Sequence, residues 1–121
     1  MRIRRDALDI LFSQYIRLLA DNHCEYCGRY ESNLQCSHFH SRRKANTRYD
    51  PDNCCGLCFS CHRFLGENPY AHTEFFKKRL GSERFEELNT RAEVITRCSK
   101  KDKEKMKADL TAKIKLLKEG G

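Results

Sequence analysis

The sequence predicts an α+β fold in which a small ββα centre lies between an N-terminal helix and several C-terminal helices. Apolar residues recur at helical spacing near the N-terminus and again after residue 69. Between these regions, residues 24–61 are rich in Cys, His, Asn and Arg and poor in aliphatic side chains. Such a segment cannot bury an ordinary apolar core, so we expect another interaction to hold it together.

The first predicted helix covers residues 3–20, where one apolar stripe recurs every three or four positions. The stripe consists of Leu8, Leu11, Tyr15 and Leu18. A short strand follows at about 33–40, and then a basic turn, "SRRKANTRYDPDN". We expect a second strand at 54–57 and a helix that begins near Cys58.

Two or three further helices are predicted in the second half of the chain. Asn68 and Pro69 mark a helix start, Gly81 ends that helix, and Ser82 can cap the next one. The apolar face of that next helix is Phe85, Leu88, Ala92 and Ile95. The last, lysine-rich segment carries a stripe of Met106, Leu110, Ile114 and Leu117, which either packs on the domain or a second copy, or leaves a lysine face that tracks DNA. The predicted division is therefore 1–22, 23–81 and 82–121.

Two CxxC pairs, "CEYC" and "CFSC", stand thirty residues apart. They contribute Cys24, Cys27, Cys58 and Cys61. Two residues between thiolates let both sulfurs point at one ion, so two pairs complete a tetrahedral site for structural Zn²⁺. The long gap encloses a hairpin, so the ion would clamp the base of a ββα unit. A redox CxxC and an iron–sulfur cluster are the alternatives.

Composition favours an intracellular protein with a polyanionic partner. The formal net charge is +7, which suits DNA. Neither a signal peptide nor an apolar run of transmembrane length is recognisable, so we expect no membrane association and a cytoplasmic location. The remaining cysteines, by default, are small buried apolar residues: Cys36, Cys54, Cys55 and Cys98.

Histidines gather around the predicted hairpin. His38 and His40 are two apart, and residues two apart on a strand share a face. His62 follows the second cysteine pair directly, at the start of the helix anchored there. The metal would therefore bring His62 towards His38, with Asn53 as a candidate orienting group.

The nested order of CxxC, His38, Asn53 and CxxC-His62 resembles the HNH, or ββα-metal, nucleases. The stretches "SHFHSRR" and "RYDPDNCCGLCFSCHRFLGENP" are more specifically similar to phage NinG-type recombination proteins and related zinc-bearing HNH proteins. The resemblance covers about residues 24–81. It implies a metal-dependent endonuclease that hydrolyses DNA phosphodiester bonds in phage or prophage DNA processing or recombination, in a bacterial or phage-infected host cell.

The resemblance also implies a role for each matched residue. His38 would be the general base that activates water, and His62 would bind one catalytic divalent metal, Mg²⁺, Mn²⁺ or Zn²⁺. Asn53 would hold the loop that carries the base. Many HNH proteins have Asp directly before the base, where this chain has Ser37. The candidates for a second protein ligand are therefore His40, Cys55 and Asp52.

Basic residues fill the loop between the proposed base and the asparagine. They are Arg42, Arg43, Lys44 and Arg48, and we expect them to bind DNA phosphates rather than read bases. A non-catalytic zinc module that binds nucleic acid is the alternative to a nuclease. A zinc-stapled protein-interaction module, possible as a homodimer through the last helix, is a third interpretation.

Overall fold

The computed structural model describes residues 4–120. Its elements in chain order are α1 (Ala7–Leu19), β1 (Gln35–His38), a 3₁₀ turn (Pro51–Asn53), β2 (Cys54–Leu57), α2 (Phe59–Glu67), α3 (Pro69–Leu80), α4 (Ser82–Glu93) and α5 (Lys100–Gly120). The fold is thus α+β, mostly helical with a two-stranded sheet. Within the described part of the chain, every helix is too short or too polar to cross a bilayer.

Helix α1 starts later than the sequence predicts and buries a different face. Its N-cap is Asp6, which forms a reciprocal capping box with Asp9, and the predicted start at Ile3 lies outside the described residues. The buried residues are Leu8, Asp9, Phe12, Ser13 and Ile16. The predicted stripe was therefore only partly right, because the helix packs on two sides and buries a polar row beside the apolar one.

Strands β1 and β2 pair antiparallel, with Ser37 opposite Cys55 and His38 opposite Cys54. Side chains alternate between the two faces of a strand, so Cys54 and Cys55 point to opposite sides of the sheet. The bounds of β2 agree with the sequence prediction. Strand β1 is shorter than predicted and ends at His38. His40 therefore lies beyond the strand and does not share a strand face with His38.

The sheet separates two apolar clusters. Cys55 and Leu57 pack with residues of α2, α3 and α4, including the fully buried Phe76 and Leu88. Cys54 packs on the other side, among residues of α1 and α5: Leu8, Phe12, Ile16 and Leu110. Leu34 and Ala20 pack closely against Gly56 of β2. A Cβ at position 56 would stand only 3.1 Å from Leu34 Cδ1, so a larger residue there would be crowded.

The C-terminal helices lie where the sequence predicts them, but their ends differ in detail. The Asn68 side chain donates to the Phe64 carbonyl oxygen of α2 and does not cap α3. Ser82 is the first residue of α4, with Gly81 in the cap position at a φ of +84°. Helix α4 ends at Glu93, which leaves Ile95 outside it and 99% exposed. In α5, Leu110 and Ile114 are buried, so the apolar stripe packs within the domain.

Candidate active site and metal sites

The four cysteines of the two CxxC pairs meet in one place. Cys24 and Cys27 lie in the turn before β1, Cys58 is the N-cap of α2, and Cys61 lies in its first turn. Their sulfur atoms are all within 4.8 Å of one another, and the Cys27 and Cys58 sulfurs are 3.9 Å apart. Sulfurs on one tetrahedral Zn²⁺ are about 3.8 Å apart, given Zn–S bonds of about 2.3 Å. The four thiols can therefore bind a structural metal such as zinc.

Backbone N–H groups around the four-cysteine cluster favour the ionised form of one of its thiols. Burial works against ionisation of Cys24, but backbone N–H groups of Cys27, Cys58 and Tyr26 donate to its sulfur and outweigh burial, so its pKa falls to about 7. Burial and its thiol neighbours raise the pKa of Cys61. The cluster thus contains one readily formed thiolate, which is the form that binds metal.

A groove of about 490 Å³ runs between α1, β1 and α2. His38 and His62 both line it, so the structure brings together the two histidines that the sequence singled out. Polar residues at a spacing of four also line the groove: Arg5, which precedes α1, and Asp9, Ser13 and Arg17 within the helix. Arg42 from the basic loop and Cys36 from β1 also line the groove.

His38 is held in one defined state. Its Nε2 lies 3.0 Å from the backbone carbonyl oxygen of Arg48. A carbonyl only accepts, so Nε2 carries the proton and Nδ1 keeps its lone pair. Burial lowers the pKa of His38, so the ring is neutral at neutral pH. A neutral imidazole with one free nitrogen can accept a proton or bind a metal.

Asn53 organises the loop after β1. Its Oδ1 accepts from the His40 amide at 2.8 Å, and its Nδ2 donates at 3.0 Å to the carbonyl oxygens of His40 and Thr47. The side chain is fully buried. Asn53 therefore fixes the backbone of the loop, while the Arg48 carbonyl, at the end of the same loop, fixes the His38 ring.

Arg48 has a different position from the one the sequence suggested. Its guanidinium forms a two-pronged ion pair with Asp9 of α1 and is 14% exposed, so it is occupied by protein rather than facing DNA. Arg42 lies 3.6 Å from the same carboxylate but borders the groove. Lys44 is more exposed and stands 3.8 Å from Glu93.

The three residues considered as metal co-ligands point away from the groove. The His40 ring lies beyond the end of β1, and its Nε2 forms a 2.8 Å hydrogen bond with Asn89 Oδ1 of α4. Cys55 lies on the opposite face of the sheet in the apolar cluster. Asp52 forms ion pairs with Arg84 and Arg91 of α4. Among the described residues, His62 belongs to no group of three or more metal donors.

Sequence reasoning missed a second cluster of donors. The side chains of Cys36, His38 and Cys54 lie together on the α1 side of the sheet, with their ligand atoms within 4.8 Å of one another. The rule that residues two apart share a strand face was applied to His38 and His40. Applied to Cys36 and His38, it would have found this pair. The side of α1 that lines the groove could also have been recognised in the sequence, because Asp9, Ser13 and Arg17 are polar residues four apart.

The family model described as Bacteriophage Lambda NinG protein matches residues 4–120. No curated protein and no solved structure matches the chain. The matched region includes the four-cysteine cluster, the groove and all the helices. Because the match spans nearly the whole chain, the protein belongs to the NinG family.

Proposed function

We propose that this protein is a metal-dependent DNA endonuclease of the HNH type that acts in phage recombination. Membership of the NinG family supports the recombination context. The observation that carries the nuclease proposal is the shared groove of His38 and His62, with the His38 ring fixed by the Arg48 carbonyl. The elements around it, β1, β2 and α2, follow one another in ββα order.

In the proposed reaction, His38 Nδ1 accepts a proton from the water that attacks the phosphorus atom. The Arg48 carbonyl keeps the ring in the required tautomer and stabilises the charge that forms on it. A positioned base of this kind contributes roughly 10²–10⁴ in rate. Arg42, with Arg43 and Lys44 in the same loop, holds the phosphodiester backbone over the groove. Arg5 and Arg17 extend this positive surface along α1.

His62 is the proposed protein ligand of the catalytic metal. A divalent cation there would neutralise the charge on the phosphate and on the leaving oxygen. Asp9 also faces the groove, but both of its oxygens accept hydrogen bonds from Arg48, and one also accepts from the Asp6 amide. Substrate phosphate and water would therefore supply the other ligands, which suits Mg²⁺ or Mn²⁺.

The test is cleavage of supercoiled plasmid and of a branched DNA substrate by the full chain, with Mg²⁺ or Mn²⁺. His38→Ala should lower the rate by roughly 10²–10⁴ and keep the structural metal. His23→Ala is the matched control, because His23 is an exposed histidine that hydrogen-bonds the Asp21 carbonyl oxygen outside the groove. Equal rates for His38→Ala and wild type would reject His38 as the base.

A DNA-binding module without catalysis is the second candidate. Among the described residues, His62 belongs to no group of three or more metal donors, which favours this candidate because a nuclease of this type needs a metal at the scissile phosphate. In that case no metal would support cleavage of either substrate. DNA affinity would still fall with salt, and Arg17→Gln would reduce the slope by about one unit. His38→Ala would then bind DNA like the wild type.

A further inference from the structure

Cys36, His38 and Cys54 form a second group of metal-binding side chains, separate from the four-cysteine cluster. Cys36 and His38 lie on the same face of β1, and Cys54 is the cross-strand partner of His38 in β2. Antiparallel pairing therefore places all three on the α1 side of the sheet. Their donor atoms lie within 4.8 Å of one another, the same limit that the four-cysteine cluster meets.

The geometry and chemistry of these donors suit a soft divalent cation. Ligands of a tetrahedral Zn²⁺ ion lie about 3.5–3.8 Å apart, so small side-chain rotations would close the group around one ion. Two thiolates and an imidazole prefer Zn²⁺ to Mg²⁺ or Ca²⁺. Three protein ligands with an open fourth position are typical of zinc sites that also bind water or another small ligand.

The free nitrogen and the path to solvent are both present. His38 Nε2 donates to the Arg48 carbonyl, which leaves Nδ1 for a metal and orients the ring as outer hydrogen bonds orient metal-binding histidines. Cys54 is fully buried, but Cys36 and His38 line the groove. An ion can therefore enter from the groove, and its fourth position faces the groove.

We propose that Cys36, His38 and Cys54 bind a second divalent cation, Zn²⁺ by preference, whose fourth ligand comes from the groove. Binding releases the two thiol protons to solvent and involves no change of oxidation state. It does not depend on the proposed nuclease activity. If both proposals hold, Zn²⁺ at this site occupies His38 Nδ1 and inhibits cleavage, because the same lone pair is needed to accept the proton.

The test is a Co²⁺ titration of the full chain that carries one equivalent of Zn²⁺, under reducing conditions and without DNA. One further equivalent of Co²⁺ should bind with thiolate-to-cobalt charge-transfer absorption, while the bound Zn²⁺ stays at one equivalent by elemental analysis. Cys36→Ser and Cys54→Ser should each lose this equivalent of Co²⁺. Cys98→Ser is the control and should keep it, since Cys98 lies outside both clusters.

A second measurement covers the case in which the variants fail to fold. In the wild-type protein, bound Co²⁺ should slow alkylation of Cys36 but not of Cys98, as read by mass spectrometry of peptides. No extra Co²⁺, displacement of the structural Zn²⁺, or unchanged alkylation of Cys36 would each overturn the proposal. Loss of plasmid cleavage has no bearing on these readouts, so the proposed function and this site can fail separately.

Discussion

At the scale of single residues, Arg48 joins the groove to α1 through both its side chain and its backbone. The guanidinium binds Asp9, which is 4% exposed, and the backbone carbonyl accepts from His38 Nε2. Hydrogen bonding of the guanidinium to Asp9, and then the negative charge of that carboxylate, raise the pKa of Arg48 against the effect of burial. The residue that the sequence suggested as a DNA contact therefore has a structural and positioning role.

We expect Arg48→Ala to lower the free energy of unfolding by on the order of 3 kcal/mol, because the buried Asp9 carboxylate loses its two-pronged partner and keeps only the longer, 3.6 Å contact with Arg42. Arg63→Ala is the control: Arg63 and Glu67 also form an ion pair, but both are largely exposed. Its effect should be within about 0.5 kcal/mol. Urea unfolding followed by circular dichroism measures both. Similar losses for the two variants would contradict a special role of the buried pair.

At the scale of elements, α1 presents two different sides. One side contributes Leu8, Phe12 and Ile16 to the cluster shared with α5, and the other contributes the polar row of the groove. Packing of α5 on α1 therefore supports the wall that faces His38. The lysine-rich helix that ends the chain is part of the fold that holds the groove.

We expect Leu110→Ala, in α5, to cost about 2–4 kcal/mol of unfolding free energy, because it opens a cavity against α1. Leu116→Ala removes the same atoms from a side chain that is 68% exposed and should change stability little. Thermal melting of the two variants gives the comparison. A small effect of Leu110→Ala would mean that α5 does not pack on α1 in solution.

The capping box at the start of α1 makes stability depend on pH. Burial works against ionisation of Asp6, but hydrogen bonds from Lys103, the Asp9 amide and Tyr49 outweigh it, so the pKa of Asp6 lies well below its usual value of 3.8. A lowered folded pKa means that the ionised carboxylate stabilises the fold above about pH 4 and that this contribution is lost as pH falls.

Asp6→Asn should therefore flatten the dependence of stability on pH below about pH 4, because asparagine keeps a capping oxygen but cannot be protonated. Urea unfolding at several pH values between about 2 and 5 measures how steeply the free energy of unfolding changes with pH in the wild type and in Asp6→Asn. Parallel curves for wild type and variant would show that Asp6 does not carry this dependence.

In the molecule as a whole, the four-cysteine cluster lies in a part of the chain, residues 24–61, that is poor in aliphatic side chains. It ties the turn before β1 to the start of α2, and the sheet and the groove lie between these two points. Structural Zn²⁺ commonly contributes on the order of 10 kcal/mol of apparent binding energy, which acts as folding energy in such a unit. With a metal bound, the cluster would fix the first turn of α2, which leads directly into His62.

Removal of the metal should therefore unfold the middle of the chain. We expect Cys27→Ser to lose tightly bound Zn²⁺ and to melt without a cooperative transition, as wild type would after treatment with a strong chelator. Cys98→Ser should keep both the metal and the transition. Elemental analysis and calorimetry measure the two properties. A cooperative, metal-free Cys27→Ser would show that the thiols are not a structural metal site.

The order of the elements and the four-cysteine cluster could be predicted from the sequence. Helical periodicity, cap residues and CxxC spacing are local signals, because their partners lie within a few positions along the chain. The order of His38, Asn53 and His62 around the two cysteine pairs, with the resemblance to HNH nucleases that it carries, singled out these three residues. The local signals also predicted the bounds of β2 correctly and those of the helices after residue 69 to within a few residues.

Which side chains meet could not be predicted, because it depends on how the elements pack together. Strand β1 ends before His40, so the His40 ring hydrogen-bonds to Asn89 instead of sharing a face with His38. The strand register places Cys54 rather than Cys55 opposite His38. Likewise, docking of α1 directed Arg48 to Asp9. Each of these depends on contacts between residues far apart in the chain. Their free energy is set by packing and burial across elements, which local spacing does not encode.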